Sequence, residues 1–193
     1  MIDTAFTKEH QPVSDLAVVQ RAAMVPIKDR RLAFGGPYED ILSAIFLHRG
    51  IESLDELATG AKDLLHFNQL NGIQAAVELL FTGLQSQQKI VIIGDFDADG
   101  ATSTALCMLA LRDLGFHSVQ YLVPNRFDFG YGLSPEIVDV AIEQYAPDIL
   151  LTVDNGIACH AGVAHAKAHG LKVIITDHHL PGESLPNANA IVN

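Results

Sequence analysis

The chain has 193 residues, 49% of them apolar, and a formal net charge of −11. That apolar content supports one α/β domain with a real core. No apolar run is long enough to span a bilayer, and the polar stretch from Met1 to Pro12 does not read as a secretory leader. The acidic balance is the reverse of a basic nucleic-acid footprint and predicts weak hold on a polyanion. It does not exclude a nucleic-acid substrate, because part of it is a local carboxylate cluster that bound cations would neutralise. Cys107 and Cys159 lack metal-finger spacing and fit a reduced, cytoplasmic protein with small buried thiols.

The first 31 residues lack periodicity and are broken by Pro12 and Pro26, which predicts an extended or partly helical arm. A helix is expected from about Tyr38 to His48, with Ile41, Leu42, Ile45 and Phe46 on one stripe and Gly50 ending it. Ser53 with Glu56 three residues on predicts a short capped helix to Leu57. Asp63 to Asn71 reads as an irregular turn. A further helix is expected over Gly72–Gln85, with Ile73, Ala76, Val77, Leu80 and Leu84 at helical spacing. Residues 1–86 therefore read as an arm and helical cap, and residues 87–193 as the α/β domain.

Lys89–Gly94 is the first expected strand. A helix follows from Ala101 to Leu114, with Ala105, Leu106, Leu109 and Leu111 turned to a sheet. Ser118–Val123 is the second strand, and the Gly- and Pro-marked stretch Pro124–Pro135 is a loop. Ser134 reads as the N-cap and Pro135 as the first residue of a helix to about Tyr145. Ile149–Val153, a helix over His160–His169 and Lys172–Thr176 continue the alternation. After a loop, Ala190–Val192 begins another strand, which suggests a piece of something larger. The alternation predicts an α/β fold: a parallel, doubly wound sheet flanked by helices, incomplete at its C-terminal side, behind a helical N-terminal cap.

The chemistry concentrates at strand ends. Val91-Ile92-Ile93-Gly94 runs into Asp95, Asp97 and Asp99. At ~4 Å and an effective dielectric near 20, each like-charge pair among them costs about 4 kcal/mol. A cation would offset that, and hard divalent ions take oxygen ligands. A solvated acidic turn is the plain alternative for one such stretch. The pattern recurs, however: the third strand ends in Asp154-Asn155-Gly156 and the fourth in Asp177-His178-His179. Parallel strands would bring all three ends to one rim, where open α/β sheets bind ligands. Carboxylates with imidazoles make a mixed set suited to manganese, magnesium or zinc.

Other readings are narrower. The first strand–helix turn has neither a dinucleotide-binding glycine pattern nor a P-loop ending. Arg126 is the cation of a loop expected on the active edge, with the bidentate fork that phosphate favours; a salt bridge to Asp128 is its plain alternative. Cys159 has no evident base partner and reads as a packing residue. His48, His66, His117, His165 and His169 look scattered and structural.

Taken in order, Gly94–Ser103, the loop from Asn125-Arg126 to Gly130–Ser134, Val153–Gly156 and Thr176–His179 resemble the successive motifs of the DHH phosphoesterases. The likeness is greatest to the bacterial single-strand-specific 5′-to-3′ DNA exonucleases among them, and it covers about Tyr38 to Asn193. It implies a phosphodiesterase using two Mn2+ or Mg2+ ions, acting in recombination and repair and releasing 5′-mononucleotides by in-line attack of water. It implies Asp97, Asp99, Asp154 and His178 as ligands, with Asp154 bridging the ions. Asp95, Asp177 and Asn155 would orient those ligands, His179 would bind metal or the scissile phosphate, and Arg126 would contact substrate phosphate. The implied partners are single-stranded DNA, a single-strand-binding protein and a helicase, with no membrane. A further ligand aspartate and further domains are implied beyond Asn193, so little nuclease activity is expected of these residues alone. A pyrophosphatase or small-nucleotide phosphodiesterase of the same superfamily, and a noncatalytic replication scaffold, are the alternative functions.

Overall fold

The computed structural model describes residues 30–60, 62, 64–125 and 129–193. The arm up to residue 29, and Arg126 to Asp128, lie outside them. The chain divides into two compact units, Met1–Leu64 and Leu65–Asn193.

In the first unit, helix α1 (Glu39–His48) is followed by a 3-10 turn, Leu54–Leu57. That turn carries the capping box its sequence predicts: the Asp55 N–H donates to Ser53 Oγ (3.2 Å) and the Ser53 N–H to Glu56 Oε1 (2.8 Å). The buried side of α1 differs from the expected stripe. Ser43 and Leu47 are buried and Ile41 is exposed. Ser43 is inside because its Oγ accepts the backbone N–H of Leu32 (2.8 Å), satisfying a buried donor.

The second unit holds α2 (Ile73–Gln85), β1 (Ile90–Ile93), α3 (Ala98–Asp113), β2 (Val119–Leu122), α4 (Pro135–Tyr145), β3 (Ile149–Val153), α5 (His160–Ala168), β4 (Lys172–Thr176) and β5 (Ala190–Val192). The strands form one parallel sheet in the order β2-β1-β3-β4-β5. β1 and β3 are buried along their whole length, which is why they read as unbroken β-branched and leucine runs rather than alternating ones.

Alternate residues of each strand serve the two faces. Ile90, Ile92, Ile149, Leu151 and Ile174 pack with Ala76 of α2 and Leu111 of α3. Val91, Ile93, Leu150, Val173 and Ile175 pack with Ile137, Val138 and Ala141 of α4 and Val163 and Ala166 of α5. Each such side chain removed from water is worth about 1.5–3 kcal/mol. Helix α2 belongs to this core and packs beside β5.

Helix α3 departs from expectation in two ways. It begins at Ala98, not Ala101, because Asp97 caps it: the Gly100 N–H donates to Asp97 Oδ1 (3.0 Å). Its inner face is Gly100, Thr104 and Leu111, with Cys107 and Met108 half-buried, whereas Ala105, Leu106 and Leu109 are exposed. A Cβ at Gly100 would run into the Asp95 carbonyl oxygen, so glycine sets which side of the helix meets the strand end.

Candidate metal centre

In a sheet of this order the chain turns outward from β1 in both directions, leaving a crevice beyond the carboxyl ends of β1 and β3. The acidic motifs stand there. Carboxylate oxygens of Asp95, Asp97 and Asp154 lie within 4.8 Å of one another. Ligand atoms of Asp154, His178 and His179 also lie within 4.8 Å of one another. Asp154 is common to both groups. Asp99, in the first turn of α3, joins Asp154, Asp177 and His178 around one open cavity of about 260 Å³, with Ser103 and Thr176.

Each position is built locally. Asp97 is exposed at the start of α3, where the helix N-terminus favours negative charge. Asp95 is buried and accepts the Phe96 N–H on Oδ1 (2.8 Å). Asp154 is buried at the end of β3 and sits at φ +62°, a left-handed conformation that aspartate tolerates better than most residues. Its N–H donates to the Thr176 carbonyl (3.1 Å), its carbonyl accepts the Tyr131 hydroxyl (3.0 Å), and its Oδ1 is 2.9 Å from His178 Nε2.

Asn155 is fully buried and does not face the cavity. Its Nδ2 donates to the carbonyls of Ile93 (3.0 Å) and Val153 (2.9 Å), tying the turn after β3 to the end of β1. Asp177 has a buried side chain that accepts the Ile157 N–H on Oδ2 (2.9 Å) and the His178 N–H on Oδ1 (2.8 Å). The same Oδ1 is 2.7 Å from His179 Nδ1. The histidine rings themselves are exposed, 4.7 Å apart between centroids.

Burial pushes the Asp154 carboxyl above its ordinary pKa; the His178 contact pulls it back, and the Asp97 charge adds to the rise. Burial also acts on Asp177, but its hydrogen-bond donors prevail and hold it below the usual range. The Asp177 contact raises the pKa of His179. Among the described residues, no Lys or Arg lines the cavity. Crowded carboxylates flanked by imidazoles, with no side-chain ammonium or guanidinium among them, fit a divalent cation. Burial raises both thiols above their ordinary pKa, in keeping with packing roles.

The model of the DHH family, N-terminal domain, matches residues 89–193. The chain belongs to the DHH family. It is 52% identical over 153 residues to the single-stranded-DNA-specific exonuclease RecJ of Escherichia coli, covering 79% of this chain and 26% of that protein. To RecJ of Haemophilus influenzae it is 53% identical over 169 residues, covering 86% and 29%. A crystal structure of exonuclease RecJ bound to manganese is similar at TM-score 0.60 and 39% identity, over 67% of this chain and 32% of that one. RecJ of Thermus thermophilus in complex with Mn2+ is similar at TM-score 0.57 and 34% identity, over 76% and 20%. The chain thus spans about a quarter of the length of the E. coli relative.

The rim residues read from the sequence all lie within the stretch that the family model matches. Tyr131, within the Gly130–Ser134 stretch, has a role its sequence does not signal: its hydroxyl supports the left-handed Asp154 backbone. Ser103 and Thr176 also line the cavity. Their only sequence signal is adjacency, one turn after Asp99 and one residue before Asp177.

Proposed function

We propose that this chain carries the metal centre of a 5′-to-3′ exonuclease that hydrolyses phosphodiester bonds of single-stranded DNA in recombination and repair. The observation that carries the reading is Asp154, shared by a carboxylate group and a histidine group at the β1/β3 crevice. The RecJ relatives and the manganese complex of one of them support it.

In this reading residues 87–193 are the catalytic part and residues 1–86 the arm and cap, of which α2 packs into the core of the sheet. Asp97, Asp99, Asp154 and His178 would hold Mn2+ or Mg2+ ions, two in the complete site, and Asp154 belongs to both donor groups. Bound there, such ions supply charge neutralisation and an activated water for in-line attack on phosphorus. The chain's own residues do the rest. Asn155 fixes the turn that aims Asp154. Asp177 holds both histidine backbones and leaves His179 Nε2 to face an ion or the scissile phosphate. Asp95 anchors the turn from which Asp97 projects. Arg126, outside the described residues, takes a substrate phosphate by its guanidinium fork. A single-strand-binding protein and a helicase are the partners this activity would use, in the cytoplasm.

The test is calorimetry with Mn2+, followed by hydrolysis of 5′-phosphorylated single-stranded DNA against a panel containing pyrophosphate and dinucleotides. Tight Mn2+ binding lost in Asp154→Asn is expected, together with weak hydrolysis that still prefers the polymer. No Mn2+ binding, or equal turnover of pyrophosphate, overturns the reading.

A further inference from the structure

A second set of metal donors lies on α4 and α5, on residues other than those of the carboxylate rim. Asp139 of α4, His165 of α5 and His169 at the end of α5 each offer a ligand atom, all within 4.8 Å of one another. His165 and His169 are four residues apart, so they stack on one helix face. Their rings are 4.5 Å apart between centroids. His165 Nε2 is 2.7 Å from Asp139 Oδ1. His169 Nδ1 is 3.0 Å from the His165 carbonyl oxygen, the outer contact that fixes the tautomer of a metal-bound histidine and leaves Nε2 for the ion.

The platform is rigid where it matters. Val138, next to Asp139, and Ala166, next to His165, are both fully buried in the core between α4, α5 and the sheet. The donor atoms therefore need side-chain adjustment, not backbone movement, to close on an ion.

We propose that Asp139, His165 and His169 form a second metal site, which takes a borderline transition ion of the Zn2+ class and clamps α4 to α5. Two imidazoles and one carboxylate match zinc, with water in the fourth position, and differ from the oxygen-rich rim that suits Mn2+ or Mg2+. The site owes nothing to the exonuclease reading. The competing account is an ion pair between His165 and Asp139 with His169 closing the end of α5, needing no ion.

The two accounts separate in a Zn2+ titration of the chain with Mn2+ already saturating the rim and free Mn2+ followed by electron paramagnetic resonance. One equivalent of Zn2+ is expected to bind without releasing Mn2+, and Co2+ in its place is expected to give visible ligand-field absorption. His169→Gln, at an exposed position, should weaken that binding by ~10–100-fold or more. The double variant His165→Gln, His169→Gln should lose it while keeping Mn2+ binding. Unchanged Zn2+ affinity in H169Q, no Zn2+ uptake by the unaltered chain, or uptake only with matching release of Mn2+ overturns the proposal.

Discussion

The two strand ends that meet at the crevice are built in opposite ways. After β1, Asp97 sits exposed in an extended conformation and caps a sixteen-residue helix, so the chain there follows its local preference. After β3, Asp154 is buried at φ +62° between a hydroxyl, a ring nitrogen and a neighbouring strand. The first turn would keep its shape without any ion. The second holds a charge in a place that disfavours it, and the surrounding bonds maintain it. The aspartate that costs most to keep is the one both donor groups share.

The largest test of that contrast is Asp154→Asn. Asparagine tolerates the left-handed conformation and removes a buried charge, so the metal-free fold should melt no lower. Mn2+ affinity should still fall by more than ~100-fold in calorimetry. A drop in melting temperature with metal affinity intact would reverse the assignment of cost and role.

The turn's support comes next. Asn155→Ala would leave the Ile93 and Val153 carbonyls without their side-chain donor and should cost about 2–3 kcal/mol in urea unfolding. Gly156→Ala should cost about 2 kcal/mol or more, since Gly156 is at φ +117° and a Cβ there meets Thr152 and Ile175. Asp97→Ala, on the relaxed side, should lose only the cap, about 1 kcal/mol, together with metal affinity. Equal losses for the β1 and β3 turns would erase the distinction.

The smallest effect is on pH dependence. The folded pKa of Asp154 is raised, so its contribution to the metal-free fold is present below the unfolded value and lost as pH rises through the folded one. The folded pKa of Asp177 is lowered, so its contribution is present above the unfolded value and lost as pH falls through the folded one. Urea midpoints across acid pH should therefore lose the first trend in Asp154→Asn and the second in Asp177→Asn. Saturating Mn2+ should abolish the Asp154 trend, because the bound ion favours the ionised carboxylate.

Much of this was legible in the residues. Apolar β-branched runs marked β1, β3 and β4, and Ser134-Pro135 marked the start of α4, where Ser134 Oγ accepts the Ile137 N–H at 3.3 Å. The acidic and histidine motifs were visible because chemistry sits immediately after each run. The packing face of α3 was not. Apolar residues fill Ala105 to Ala110 without a break, so no period distinguishes inward from outward; Gly100 against Asp95 decides it.

The sequence by itself determined the local events: which segments are strands, where α4 and the 3-10 turn after α1 are capped, and which side chains follow the strand ends. These depend on neighbours within about one turn. Only the tertiary structure decided what depends on strand order and helix adjacency. It seated α2 beside β5, made Asp154 common to two donor groups, and set Asp139 against two histidines that looked scattered along the chain. Those contacts join residues tens of positions apart, and hydrophobic burial, which drives the elements together, specifies area rather than partner.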